Sequence, residues 1–136
     1  MNVTVGETVT FRKTVGESDV YLFAGITGDL AANHVDEVFM AGTPYGRRIA
    51  HGVLVLGYSS TASTALLARI GVPGVSYGYD RVRFTAPVFI GDTVTVTYRV
   101  ETVDVANLTV TSRIEVTRQD GTLCLVADHI LKLLET

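Results

Sequence analysis

Residues 52–70 read GVLVLGYSSTASTALLARI, which is the longest helix pattern in the chain. It predicts a helix that begins near Gly52 and ends at about Ile70, because Gly71 and Pro73 follow and stop it. The middle of the helix is built from small residues, namely Gly57, Ser59, Ser60, Ala62, Ser63 and Ala65. Small side chains let a helix approach a sheet closely, so we expect this helix to be wrapped by other elements rather than to lie on a surface.

Strand patterns fill the chain after this helix. Between residues 94 and 101, valine and tyrosine alternate with threonine, arginine and glutamate, which is the period-2 pattern of a half-buried strand. Residues 108–116 repeat this pattern, and residues 75–84 are another strand candidate. Asp120-Gly121 predicts a tight hairpin turn, after which residues 123–134 are evenly apolar, as expected for a central strand.

The chain before the long helix contains only short secondary-structure patterns. Residues 3–5 and 8–15 favour strands, and Glu17-Ser18-Asp19 offers the N-cap chemistry of a short helix that Gly28 ends. Residues 29–45 are expected to form a loop with one helical turn at 36–41. The predicted fold is therefore a single α+β domain over residues 1–136, and a hot-dog fold, with a curved antiparallel sheet wrapped around one long central helix, fits best.

Composition excludes several classes of function. The net charge is −3 and the chain has no run of lysine and arginine, so nucleic acid is not an expected partner. The longest apolar runs, such as residues 53–56, are too short to cross a bilayer, so no membrane partner is expected. The single cysteine, Cys124, cannot form an internal disulfide, and the N-terminus lacks the order of a secretory signal. A cytoplasmic protein is the simplest interpretation.

An acid/base pair is the first chemical feature. Asp29 and His34 lie five residues apart directly after Gly28. On a regular helix this spacing would turn the side chains about 140° apart, but a loop after Gly28 lets them converge. A carboxylate and an imidazole that hold one water can activate it at Cβ of an α,β-unsaturated thioester and deliver a proton at Cα.

The start of the long helix is the second feature. Its first amide groups lack internal acceptors and lie at the positive end of the helix dipole, so the Gly52 amide suits a developing enolate or thioester oxygen. Ser60 lies two turns further on and could orient Asp29 or His34 by hydrogen bonding. His51 is interpreted as a cap or packing residue rather than a base.

Cysteine and histidine spacing predicts no metal site, and Cys124 is expected to pack as a small apolar side chain.

Several ordered motifs resemble one family. Residues 23–29 (FAGITGD), 34–36 (HVD) and 48–52 (RIAHG) resemble the signature of (R)-specific enoyl-CoA hydratases and MaoC-like dehydratases, and residues 83–92 (RFTAPVFIGD) resemble the later strand and turn of that family. The match covers roughly residues 17–96. The resemblance implies a hot-dog fold, usually dimeric, that adds or removes water on acyl thioesters.

The resemblance also implies roles for individual residues. Asp29 and His34 would be the catalytic pair, the Gly52 amide would polarise the thioester carbonyl, and Ser60 would fall at a supporting position. No metal or redox cofactor is implied, because a coenzyme A or acyl carrier protein thioester itself acidifies the Cα proton. The substrate-binding predictions comprise His51, Val53, Leu54 and Phe39, and candidate contacts to coenzyme A phosphates comprise Arg47, Arg48, Arg69 and Arg81.

The chain departs from the family pattern in one place. The pattern is commonly Gly-Asp-x-Asn-Pro-x-His, but Ala31 and Ala32 replace the asparagine and proline here. The loss of a rigid proline is expected to loosen the site by about 1 kcal/mol. Neighbouring Asn33 is the candidate to replace some of the lost hydrogen bonding.

Two other functions stay open on the sequence. A carboxylate and a helix-start amide also serve thioester hydrolysis, so a hot-dog thioesterase is the first alternative. A non-catalytic acyl-thioester-binding subunit of a heteromer is the second, and Ala31-Ala32 is the feature in its favour.

Overall fold

The computed structural model describes residues 1–135 and contains one antiparallel sheet and one long helix. In these residues the elements are β1 (Thr8–Thr14), α1 (Glu17–Thr27), α2 (Ala32–Val35), α3 (Glu37–Ala41), α4 (Gly52–Ile70), β2 (Gly74–Phe84), β3 (Thr93–Asp104), β4 (Thr109–Arg118) and β5 (Leu123–Leu133). The strand order in the sheet is β1-β3-β4-β5-β2, and every neighbouring pair is antiparallel.

The core lies between α4 and one face of this sheet. On β3, the residues that alternate along the strand from Val94 to Val100 are fully buried. The buried residues of α4 lie on one stripe of the helix and comprise Val55, Ser59, Ala62, Ser63, Leu66 and Ile70. Removal of this apolar surface from water is the main favourable contribution to folding. The predicted hot-dog arrangement is confirmed.

The small residues of α4 divide between two faces of the helix. Ser59, Ala62 and Ser63 face the sheet, as expected for close packing, whereas Ser60 and Ala65 are exposed. The sheet wraps around α4 as predicted, and the face of the helix that carries Ser60 and Ala65 is exposed in the protomer. The sheet covers a single stripe of α4, and small size at the other positions is not explained by packing inside the protomer.

In the chain before α4, the structure corrects three details of the predicted secondary structure. Residues 3–5 are not in a strand, although β1 is where it was predicted. The N-cap of α1 is Gly16 rather than Glu17 or Ser18, and its N–H donates to the carboxylate of Asp19 at 3.1 Å. The region predicted as loop contains α2, which was missed because one helical turn has too few residues to show a 3.6-residue period.

By length and composition alone, α4 is apolar enough to cross a membrane, with a mean hydropathy of 1.3 over 18 residues. The sequence prediction considered only uninterrupted apolar runs and so missed the high mean hydropathy of α4. Serines and threonines interrupt the apolar runs of this helix without making it polar. In this fold 39% of that window is buried, and the helix is the core helix of the sheet.

A histidine also lies in the core. His129 on β5 is 1% exposed and is hydrogen-bonded through both ring nitrogens, to Ser76 and to Tyr98, at 2.7 Å each. Burial lowers its pKa to about 4, so the ring is neutral at pH 7. Its position agrees with a structural role.

Candidate active site

The loop that carries Asp29 is shaped by the end of α1. Gly28 ends this helix with a φ of +82°, a left-handed conformation that glycine adopts without strain. The N–H of Asp29 donates to the Thr27 hydroxyl at 3.3 Å, and Asp29 Oδ1 accepts from the N–H of Ala31 at the same distance. These bonds leave Oδ2 free, and the side chain of Asp29 is half exposed.

The helical turn α2 presents His34. Its Nδ1 lies 2.7 Å from the carbonyl oxygen of Ile49, and because a carbonyl can only accept, Nδ1 is the protonated nitrogen. The N–H of Ile49 donates back to the carbonyl of Asn33 at 3.0 Å. This reciprocal pair fixes the imidazole of His34, which is 7% exposed, and leaves the lone pair of Nε2 available.

Asp29 and His34 come together in the folded chain. Oδ2 of Asp29 lies 3.9 Å from Nε2 of His34, which is too far for a direct hydrogen bond. The gap is the right size for a water that bonds to both atoms at normal distances. The two side chains therefore have the geometry to hold one water between a carboxylate and an imidazole.

His51 lies behind this pair. Its ring stacks on His34 with a centroid distance of 3.7 Å, and Phe23 packs on it at 4.8 Å. Nε2 of His51 donates to the carbonyl oxygen of Asp29 at 3.0 Å, and its buried Nδ1 has no partner within residues 1–135. His51 thus packs between Phe23 and His34, and its contact with substrate stays a prediction.

Asp29, His34 and His51 bring possible metal-ligating atoms within 4.8 Å of one another. However, the stacked rings of the two histidines are inclined by only 24°. Since imidazole lone pairs lie in the ring plane, nearly parallel rings do not aim at a common point about 2 Å from both nitrogens, as zinc requires. The arrangement is that of a stacked pair and does not favour a metal.

Gly52 is the first residue of α4 and is covered by Phe84 from the end of β2. A Cβ atom at position 52 would lie 2.8 Å from the Phe84 ring, so glycine is required for this packing. As the first helical residue, Gly52 has an N–H without an intrahelical acceptor, at the positive end of the helix dipole.

A cavity of about 430 Å³ adjoins Gly52 and His34. Its buried walls are apolar and include Val55, Val88 and Cys124, whose pKa is raised by burial. Its lining residues are Asn33, His34, Tyr45, Ile49, Ala50, Gly52, Val53, Val55, Phe84, Thr85, Ala86, Pro87, Val88 and Cys124. An apolar cavity beside one imidazole suits a short acyl chain.

The other predicted site residues divide into two groups. Val53, a predicted substrate contact, lines the cavity, and so does Asn33, which was predicted only to replace hydrogen bonding in the loop. Leu54 packs against the core and Phe39 lies exposed on α3, so neither lines this cavity, and their contact with substrate stays a prediction. Ser60 is exposed, and its side chain bonds to neither Asp29 nor His34 within residues 1–135.

Three of the four candidate arginines have carboxylate partners. Arg48 bonds to Glu17 and Glu37, which raises its pKa further, Arg69 pairs with Glu7, and Arg81 pairs with Asp128. The guanidinium of Arg47 lies 4.1 Å from the centre of the Phe89 ring. The pairs at Arg48, Arg69 and Arg81 weaken the case for these residues as phosphate ligands.

Comparisons with known proteins agree with this geometry. Residues 2–121 match the family model of the MaoC like domain. The chain is 43% identical over 95 residues to the (R)-specific enoyl-CoA hydratase of Rhodospirillum rubrum and 45% identical over 92 residues to the 3-hydroxybutyryl-CoA dehydratase of Methylorubrum extorquens. These alignments cover 70% and 68% of this chain but 64% and 57% of the two relatives, so the chain spans about three fifths of their length.

A third relative is matched almost end to end. The (R)-specific enoyl-CoA hydratase of Aeromonas caviae is 32% identical over 131 residues, which is 95% of this chain and 94% of that protein. The solved structure of the (R)-hydratase from A. caviae involved in PHA biosynthesis superimposes with a TM-score of 0.86 at 28% identity and covers 98% of both chains.

Proposed function

The chain belongs to the MaoC-like domain family, and from that premise we propose that it catalyses the (R)-specific hydration of enoyl thioesters and, in reverse, the dehydration of (3R)-hydroxyacyl thioesters. The observation that carries this proposal is the 3.9 Å separation of Asp29 Oδ2 and His34 Nε2 beside an apolar cavity. It agrees with the names of the relatives, which are hydratases and dehydratases of such thioesters.

In the proposed reaction, Asp29 and His34 hold the water that adds to the double bond. The water oxygen forms a bond to Cβ while one water proton moves to Nε2 of His34, whose lone pair is free because Nδ1 carries the other proton. The π electrons move onto the thioester as an enolate. The imidazolium then returns its proton to Cα, so that water is added across the double bond from one face and the enzyme is regenerated.

The Gly52 amide is the proposed donor to the enolate oxygen. It begins α4 and lines the same cavity as His34, so a thioester carbonyl there would lie at the positive end of the helix dipole. Charge that develops at this oxygen is stabilised by a donor already in place, which lowers the barrier without stabilising the ground state equally. The acyl chain would occupy the apolar part of the cavity formed by Val55, Val88 and Cys124.

The carrier of the acyl group is proposed to be coenzyme A, as in the names of the relatives, and no metal or redox cofactor is required by this mechanism.

A homodimer is also proposed. Strand β2 is at the edge of the sheet and exposes Val75, Tyr77 and Phe84 by 50%, 73% and 55%. An exposed apolar edge strand favours pairing with a second copy. Sedimentation at assay concentration should show a dimer, and a monomer with full activity would contradict this proposal.

Hydration of crotonyl-CoA tests the activity, followed as loss of absorbance of the conjugated double bond. His34→Gln should lower kcat by about 10²–10⁴-fold, the usual contribution of acid/base catalysis. Asp29→Asn should also lower kcat, because it removes the negative charge that holds and orients the water. Glu101→Gln is a control for the loss of one carboxylate, because Glu101 is exposed on β3, outside the cavity and away from the edge strand β2. Full activity in both site variants would refute the proposed mechanism.

The same preparation separates the two alternatives. A thioesterase would release free thiol from crotonyl-CoA, which a thiol reagent detects, whereas a hydratase releases none. A non-catalytic subunit would bind crotonyl-CoA without consuming it. Binding without turnover by the folded wild-type protein would therefore replace the proposed activity with a binding function.

A further inference from the structure

We propose that Arg48 is a positioning residue that holds His34 for the reaction, a role that rests on the proposed function. Arg48 lies in the segment between α3 and α4, and its side chain is only 16% exposed. Its Nε bonds to Glu37 of α3, and its Nη1 bonds to Glu17 of α1 at 2.6 Å. One guanidinium thus joins two of the helices that surround the catalytic loop.

The same guanidinium also reaches the helical turn that carries His34. Nη1 of Arg48 donates to the hydroxyl of Tyr21 at 2.9 Å, and that hydroxyl donates to the carbonyl of Val35 at 3.0 Å. Val35 is the last residue of α2 and the neighbour of His34. Through Tyr21, Arg48 therefore fixes the C-terminal end of α2.

The backbone next to Arg48 fixes the imidazole itself. Ile49 is the following residue. Its carbonyl oxygen accepts a hydrogen bond from Nδ1 of His34, and its N–H donates to the carbonyl oxygen of Asn33. A shift of residue 49 would move the carbonyl oxygen that selects the tautomer of His34. The imidazole would then turn, and Nε2 would change its position. Arg48 is thus connected to His34 from two sides, by the Tyr21–Val35 contact and by the backbone of Ile49.

The turn α2 needs support of this kind. It has four residues, and its N-cap, Ala31, provides no side-chain hydrogen bond. An isolated helical turn of this length is not stable by itself, because one hydrogen bond does not compensate for the ordering of its residues. A partly buried arginine that bonds to several groups supplies fixed geometry, since its planar fork defines the direction of each bond.

Arg48→Gln tests the role by the separation of kcat from KM for crotonyl-CoA. We expect kcat to fall by about 10–100-fold with KM within threefold, because small misplacement of a catalytic group has effects of this size while the cavity is unchanged. Arg48→Lys keeps the charge but not the fork, so it should restore the melting temperature more than kcat. Arg113→Gln is the matched control, because Arg113 also pairs with two carboxylates, Glu115 and Asp128, but lies on β4 outside the cavity, so kcat should be unchanged.

A second measurement does not depend on activity. Two-dimensional ¹⁵N–¹H spectra of the imidazole report the tautomer of His34, which should be the Nδ1–H form in the wild type and a mixture in Arg48→Gln. If Arg48→Gln does not fold, Glu37→Gln removes one partner and should shift the same signals. A folded Arg48→Gln variant with kcat within twofold of the wild type and an unchanged tautomer would overturn the proposal. Wild-type protein without hydratase activity would refute the proposed function instead, and the tautomer measurement would still decide whether Arg48 holds His34.

Discussion

Replacement of Ala31-Ala32 by Asn-Pro should stabilise the loop that carries the site. Ala31 is the N-cap of α2, with φ −60° and ψ 145°, and provides no side-chain hydrogen bond. Ala32 is the first helical residue. Asparagine is among the best N-cap residues, and proline is favoured at the first helical position. The asparagine and proline of the family pattern therefore fall at the two positions where α2 can use them.

The structure accepts both substitutions without strain. The ψ of Ala31 is in the extended range that the residue before a proline prefers. The N–H of Ala32 has no acceptor in residues 1–135, so proline removes no hydrogen bond there. An asparagine cap contributes about 1 kcal/mol and a compatible proline about 0.4–1 kcal/mol, which together give about 1.5 kcal/mol. For 136 residues, this corresponds to a rise in melting temperature of about 5 °C.

Thermal melting and amide exchange at His34 measure the effect. The double variant should raise the melting temperature and slow exchange at His34, whose N–H donates to the carbonyl of Ala31 at 2.9 Å. Asn33→Pro is the matched control. It places a helical Ala32 before a proline, where helical backbone angles are disfavoured, and should lower the melting temperature.

Two results would refute this reasoning. If Ala31→Asn and Ala32→Pro each leave both measurements unchanged, α2 does not have the cap and first-turn geometry described above. If Asn33→Pro stabilises the protein as much as Ala32→Pro does, the gain comes from restriction of the unfolded chain alone and not from the match to the first helical position.

Three further predictions concern the cavity and the core. Phe84→Ala removes one wall of the cavity, so in a panel of enoyl-CoA substrates the ratio of kcat/KM for long over short chains should rise, and an unchanged ratio would exclude Phe84 from chain selection. Gly52→Ala brings a methyl group to 2.8 Å from the Phe84 ring, so the exposed ring has to turn aside. The free energy of unfolding in urea should fall by about 1 kcal/mol, and Phe84→Ala in the same chain should abolish this loss. Burial lowers the pKa of His129 from 6.5 to about 4, so unfolding takes up a proton between these values, and the free energy of unfolding should decrease by roughly 3 kcal/mol as the pH falls from 6.5 to 4. Urea titrations across that range should show the decrease in the wild type and a flatter profile in His129→Gln, whereas equal profiles would contradict it.

Strong local signals made part of the fold predictable. The long helix begins at Gly52 and ends before Gly71, whose φ of +71° is the left-handed conformation expected after a helix. The alternation in β3 places Val94 and Tyr98 on the buried face. The approach of Asp29 to His34 was predicted because a glycine before the loop removes the restriction of helical spacing. Each of these predictions depends on residues close together in the chain.

Features that depend on distant parts of the chain were missed. Phe84 and Cys124 line one cavity because β2 pairs with β5, where Phe84 is opposite Leu125. The bonds of Arg48 join residues separated by 11 and 31 positions, and no periodicity reports such pairs. The positions of Leu54 and Phe39 outside the cavity have the same origin, because an apolar residue near the site in sequence can pack towards the core or face solvent.

The identity of Gly52 is weak evidence for an oxyanion site, because Phe84 alone explains it. The ring occupies the space of any Cβ at position 52, so a larger residue would be unfavourable even in a protein without catalytic activity. The case for the amide comes instead from its place at the start of α4 and from the cavity that it shares with His34. A free N–H and the positive end of the helix dipole are properties of the backbone at a helix start. Any residue at position 52 would therefore have them. Phe84 then has a second effect, since a ring packed on Gly52 keeps water from that side of the amide and strengthens its interaction with a developing charge.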